Sequence, residues 1–135
     1  MNELTLEAKL ENLDEVLAFV DKTLEELLCP PKAQMQIDIA VEELFVNIAK
    51  YAYTPNIGSA IIRVAAEKDP TGVAVTLIDS GVPYDPLAKT DPDITLSSDD
   101  RQIGGLGIYM VKKSMDKVEY EYKNGQNNLT IRKAF

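Results

Sequence analysis

Two short turns restrict what this chain can fold into more than any other feature of its sequence. Asn124-Gly125 separates the alternating runs Val118–Lys123 and Asn128–Lys133, which is a strong hairpin signal. Asp69-Pro70-Thr71-Gly72 separates Ala60–Lys68 from Val73–Ile78, with proline presetting the turn and glycine relaxing it. An opening strand is expected where Leu4, Leu6, Ala8 and Leu10 alternate with polar residues. Two hairpins and this many strands exceed what a doubly wound parallel sheet needs. The economical architecture is α/β, a two-layer sandwich whose mixed, mostly antiparallel sheet carries helices on one face.

Three segments supply those helices. Leu13, Val16, Leu17, Val20, Leu24, Leu27 and Leu28 follow helical spacing, and Pro30-Pro31 stops the helix. Burial in the core explains that stripe better than a dimer interface does, although a homodimer stays among the candidate assemblies. A second helix is expected from Lys32 to Tyr53, before Pro55, and a third from Leu106 to Met115. The predicted order is β-α-α-β-β-loop-α-β-β. The loop, Pro83 to Ile103, is rich in Asp, Pro, Ser and Thr and reads as an insertion within one domain spanning residues 1–135.

Composition removes whole classes of chemistry. No histidine occurs, which excludes imidazole acid/base schemes, His metal ligands and autophosphorylation on His. The single Cys29 cannot form an internal disulfide. With no long apolar segment, the cytoplasm is the expected compartment and no membrane association is expected. The net charge of -8 repels phosphate backbones, so no nucleic-acid partner is expected.

On the second helix Ile37, Val41, Leu44 and Ile48 gather toward the core, with Ile39 and Val46 as a second apolar flank. Gln36, Glu43, Asn47 and Lys50 form a row between them, while Asp38 and Glu42 are expected to face solvent. Glu43 and Asn47 lie one turn apart, so a carboxylate and an amide oxygen can address one ligand or metal-bound water. An isolated E-x-x-x-N pair is more often a solvated helix surface.

Two loops suit a nucleotide. The strand Val73–Ile78 delivers Asp79-Ser80-Gly81; an Asp there can accept a hydrogen bond from an exocyclic amine, and Gly81 lets backbone approach the ring. Alone, D-S-G is more often simply a turn in which Asp caps backbone amides. Gly104-Gly105-Leu106-Gly107 precedes a helix, where backbone amides and the helix start favour an anion. By itself this cluster reads as well as a hinge or cap, and it matches neither the P-loop nor the dinucleotide pattern.

Taken together, Glu43-x-x-x-Asn47, Asp79-x-Gly81 and Gly105-x-Gly107 occur in the order seen in the GHKL, or Bergerat-fold, ATPases. Within that superfamily the chain resembles the serine kinase anti-sigma factors over nearly its whole length: Glu43 to Tyr53, Asp79 to Pro86, and Gly104 to Asp116 are similar to their three boxes. The resemblance implies ATP and Mg²⁺ as cofactors. It further implies that Asn47 ligates Mg²⁺, Glu43 acts as general base or orients the attacking group, Asp79 recognises adenine, and Gly105 and Gly107 flank the phosphates. Lys50, Gly81, Leu106 and Ile108 complete the implied nucleotide contacts, and Pro83–Ile103 would be a lid carrying Arg101. One departure is Tyr51, where many relatives carry His.

The function so implied is an ATP-dependent serine/threonine protein kinase that phosphorylates a small antagonist protein and sequesters a sigma factor. Two alternatives stand beside it. A non-catalytic module would bind ATP and grip its partner without changing the partner's mass, and a detached histidine-kinase catalytic domain would leave acid-labile phosphate on a separate protein.

Overall fold

The computed structural model describes residues 1–88 and 105–135; Arg101, Gly104 and most of the expected lid lie outside them. Strand β1 (Asn2–Glu7) leads through a 3-10 turn (Leu10–Asn12) to α1 (Leu13–Glu26) and α2 (Pro31–Asn47), which a π-helical turn (Ile48–Ala52) extends. Strands β2 (Ser59–Glu67) and β3 (Gly72–Asp79) follow, then α3 (Gly105–Ser114), β4 (Lys117–Lys123) and β5 (Gln126–Ala134). The sheet order is β1-β2-β3-β5-β4, and every pairing is antiparallel, so the expected admixture of parallel pairing is absent from the described residues. Both hairpins form: β2 pairs β3 and β4 pairs β5. At the second, Asn124 and Gly125 take φ of 55° and 76°, the left-handed geometry a two-residue hairpin turn requires.

One face of the sheet is covered. Ile62, Val64, Val73, Val75, Leu77 and Ile131 meet Val16, Val20 and Leu24 of α1, Ile37, Val41 and Phe45 of α2, and Val111 of α3 in a single core. The α1 stripe is thus core, as expected, except at its end. Leu28 takes a left-handed φ of 59° and is 86% exposed, because the Cys29 amide donates to the Leu24 carbonyl (3.0 Å) and closes the helix. Pro31 then starts α2 at a position where a missing N–H costs nothing. The opening strand is also shorter than expected. It stops at Glu7, and Leu10 enters the 3-10 turn. On the open face, alternation brings Arg63 beside Glu3 and Arg132 beside Glu119 and Glu67; such exposed pairs contribute little to stability.

Asp38 does not face solvent as the helical projection suggested. Helix α1 packs along α2, and Asp38 lies half-buried against Asp21 and Glu25 with its Oδ1 lacking any hydrogen-bond partner. Burial, then a hydrogen bond shared with Asp21 and the charges of Asp21 and Glu25, push its carboxyl from 3.8 up to about 8. Between those values the folded chain keeps a proton that the unfolded chain has lost, so this group lowers stability progressively as pH rises through the window. Asp38→Asn is expected to raise the melting temperature by several degrees at pH 8 and to change it little at pH 4. Thermal melts of the two proteins across that range would show the gap widening with pH; a constant gap would contradict the assignment.

Candidate functional site

The end of α2 and the end of β3 enclose an open-mouthed cleft. Leu44, Ile48, Leu77 and Leu129 give it an apolar floor, while Asn47, Asp79, Tyr84 and Tyr120 bring polar groups to it. Asp79 is 6% exposed. Its Oδ1 accepts from the Gly81 amide (2.9 Å) and from Asn127 Nδ2 (2.9 Å); among the described residues Oδ2 accepts no hydrogen bond. A buried carboxylate with one committed oxygen and one uncommitted oxygen, set in an apolar cleft, suits a ligand that presents an N–H donor.

Gly81 is needed for a different contact from the one expected. A β-carbon there would lie 2.3 Å from the Ala52 carbonyl oxygen, because the Asp79 loop is pressed against the π turn and the Val82 amide donates to that carbonyl (3.2 Å). Tyr53 fastens the same corner, donating to Ser59 O (2.6 Å) and accepting from the Ser80 amide (2.6 Å). Gly81→Ala must displace backbone and is expected to cost roughly 1–3 kcal/mol of stability, measurable by urea denaturation. An unchanged midpoint would contradict the contact.

Asn47 reaches this cleft, whereas Glu43, one turn earlier, lines the adjoining groove between α2 and α3 with Ile39, Met110 and Val111. Gly107 is seated directly against Glu43: a β-carbon on it would come within 2.0 Å of Glu43 Oε1. Helix α3 opens on Gly105, so the backbone amides of Gly105, Leu106 and Gly107 belong to the first turn, whose N–H groups have no intrahelical acceptor. The helix start and the carboxylate therefore adjoin.

Two of the expected contacts are placed elsewhere. Lys50 is exposed and lines neither cavity. The π turn takes up an extra residue, so the row that would reach Lys50 on a regular helix reaches Tyr51, which lines the cleft. Ile108 is 8% exposed and belongs to the core, leaving only its backbone for a ligand. Conversely, Asn127 and Tyr120 line the cleft without having been singled out from the sequence. A signal existed for Asn127, since it falls two and four residues before the core positions Leu129 and Ile131 and is therefore a polar residue on an inward face.

Comparison with known proteins gives a consistent result. The model of the histidine kinase-like ATPase domain matches residues 6–133. The serine/threonine-protein kinase BtrW of Bordetella bronchiseptica is 28% identical over 100 residues, 74% of this chain and 70% of that protein. An anti-sigma F factor from Pasteuria penetrans is 29% identical over 117 residues, 84% and 73% of the respective chains. Among solved structures, the RsbU and RsbW domains of a Mycobacterium tuberculosis protein align at a TM-score of 0.69 with 16% identity, covering 99% of this chain but only 32% of that one. A chain of the SiaB–SiaC complex from Pseudomonas aeruginosa aligns at 0.59 with 14% identity, covering 98% and 89%. These two likenesses establish the α/β fold.

Proposed function

The chain belongs to the histidine kinase-like ATPase domain family, and from that premise we propose that it is an ATP-dependent serine/threonine kinase of the anti-sigma type, acting as a single domain. It binds ATP in the Asp79 cleft, phosphorylates a small antagonist protein and holds a sigma factor or similar regulator in a partner switch. The names of its relatives, a serine/threonine-protein kinase and an anti-sigma F factor, support that reading. The observation that carries it is the run of α2, which turns Asn47 into the cleft beside Asp79 and Glu43 toward the start of α3.

Each residue then has a task. Asp79 Oδ2 accepts from the adenine amine, and the apolar floor takes the ring. The first-turn amides of α3, at Gly105, Leu106 and Gly107, hold the phosphates. Glu43 accepts the proton of the incoming serine or threonine hydroxyl as that oxygen bonds to the γ-phosphorus and the bond to the ADP oxygen breaks. Mg²⁺ fits this donor set. The described residues offer no cluster of three or more acidic, His or Cys ligands, and Mg²⁺ commonly needs only one or two protein oxygens beside phosphates and water, which the Asn47 amide oxygen satisfies. When bound, the ion supplies charge neutralisation on the phosphate oxygens. No helix among the described residues is long and apolar enough to cross a membrane.

The test is incubation with γ-labelled ATP, Mg²⁺ and antagonist proteins from the same organism. Acid-stable phosphate on a partner serine or threonine is expected. Acid-labile label would transfer the reading to a histidine-directed kinase, and ATP binding with no change in partner mass would reduce it to a nucleotide-gated binding module.

A further inference from the structure

Asn127 occupies an unusual position in the cleft just described. It is 6% exposed, and both ends of its amide are engaged. Nδ2 donates to Asp79 Oδ1 (2.9 Å) and to the Val82 carbonyl (2.9 Å), with the Gly81 carbonyl at 3.5 Å. Oδ1 accepts from the Tyr84 amide (3.1 Å) and from the Tyr120 hydroxyl. The amide can be oriented in only one way, because reversing it would aim its oxygen at a carboxylate and two carbonyls and its NH₂ at the Tyr84 N–H. Three separate pieces of chain, the end of β3, the loop after it and β4, therefore meet on one side chain of β5.

That arrangement does more than fill a buried space. The two oxygens of the Asp79 carboxylate are equivalent acceptors, so what its neighbours can fix is the plane of the group and hence the direction in which its free oxygen points. Asn127 and the Gly81 amide together hold Oδ1 inward, so Oδ2 is the oxygen left to a ligand. Resting on the proposed nucleotide site, we infer that Asn127 is a positioning residue that sets the selectivity of the cleft for a 6-amino purine over a 6-oxo purine. It does so by fixing the acceptor that a 6-amino group satisfies and a 6-oxo group repels. Tyr120 supports it from the other side. Burial, followed by the charges of Asp85 and Asp79, pushes the Tyr120 hydroxyl above its usual range, which keeps it a donor to Asn127. The same amide ties the Asp79 carboxylate to the backbone at Val82 and Tyr84, so the wall of the cleft is built around the orientation that reads the base.

The experiment is calorimetric titration of ATP and GTP, with Mg²⁺, into the wild type, Asn127→Ala and Tyr120→Phe, with circular dichroism and melting curves confirming that each is folded. The wild type is expected to prefer ATP. Asn127→Ala should weaken ATP about tenfold or more, the scale of one lost hydrogen bond to a charged group, while GTP is unchanged or improved, so the ATP/GTP ratio collapses. Tyr120→Phe, which keeps the ring and loses only the hydroxyl, should shift the ratio the same way by a smaller factor. Equal weakening of both nucleotides in Asn127→Ala, as a merely structural residue would give, overturns the inference. If Asn127→Ala does not fold, an unchanged ratio in folded Tyr120→Phe overturns it instead. Failure of the wild type to bind either nucleotide overturns the nucleotide reading itself, and with it this inference, and is distinct from an altered ratio.

Discussion

Glu43→Gln is expected to abolish phosphate transfer while leaving ATP binding intact. Glutamine has the size and shape of glutamate but cannot take the hydroxyl proton, and removing a positioned general base typically lowers rates by roughly 10²–10⁴-fold. Glu43 lies in the groove between α2 and α3 and not in the cleft that holds Asp79, so the base and ribose of the nucleotide should not sense the change. Single-turnover transfer to the antagonist protein and calorimetric titration of ATP, made on the same preparation, separate the two effects. Equal loss of affinity and rate would mean that Glu43 serves binding and would remove it from the role of base.

Asp79→Asn should have the opposite signature, with affinity lost first. The Gly81 amide and Asn127 Nδ2 both point donors at Oδ1, so an asparagine must present its own oxygen to them. Its NH₂ is then forced into the cleft, where it meets the adenine amine donor to donor. Replacing a charge-assisted hydrogen bond by such a conflict is expected to weaken ATP about 100-fold and to favour a purine with a 6-oxo group. Titration of ATP and GTP into the variant checks both statements; undiminished ATP affinity would show that the base is recognised elsewhere.

Much of this architecture was legible in the sequence because local chemistry and global fold agree. Asn124-Gly125 dictates its turn whatever surrounds it, and the inward alternation of Val73, Val75 and Leu77 is what the covered face of the sheet requires. The α2 row was legible as far as Asn47. Beyond it, the π turn at Ile48–Ala52 shifts the helix by a residue and exchanges Lys50 for Tyr51 in the cleft. Nothing in Ile-Ala-Lys-Tyr-Ala announces that exchange, since a π turn is set by packing and not by a propensity.

Asp38 misled for a related reason. A helical projection knows which residues share a side but not which other helix will cover that side, and here α1 covers it. Gly81 was singled out for approach to a ligand, whereas the close contact on its backbone is the Ala52 carbonyl, 29 positions earlier in the chain. Asn127 lay farther still from any recognisable motif, brought beside Asp79 by the pairing of β3 with β5. Its inward strand position was the one local sign that a buried polar group needed partners.

In the proposed site the Asp79 cleft and the glycine-opened start of α3 together hold a magnesium nucleotide. The most direct measurement is calorimetric titration of ATP into the wild-type chain with Mg²⁺ present and again with the ion chelated. Saturable binding of one ATP per chain that weakens when the ion is removed is expected; a folded protein that takes up no ATP under either condition would show that this cleft is not a nucleotide site.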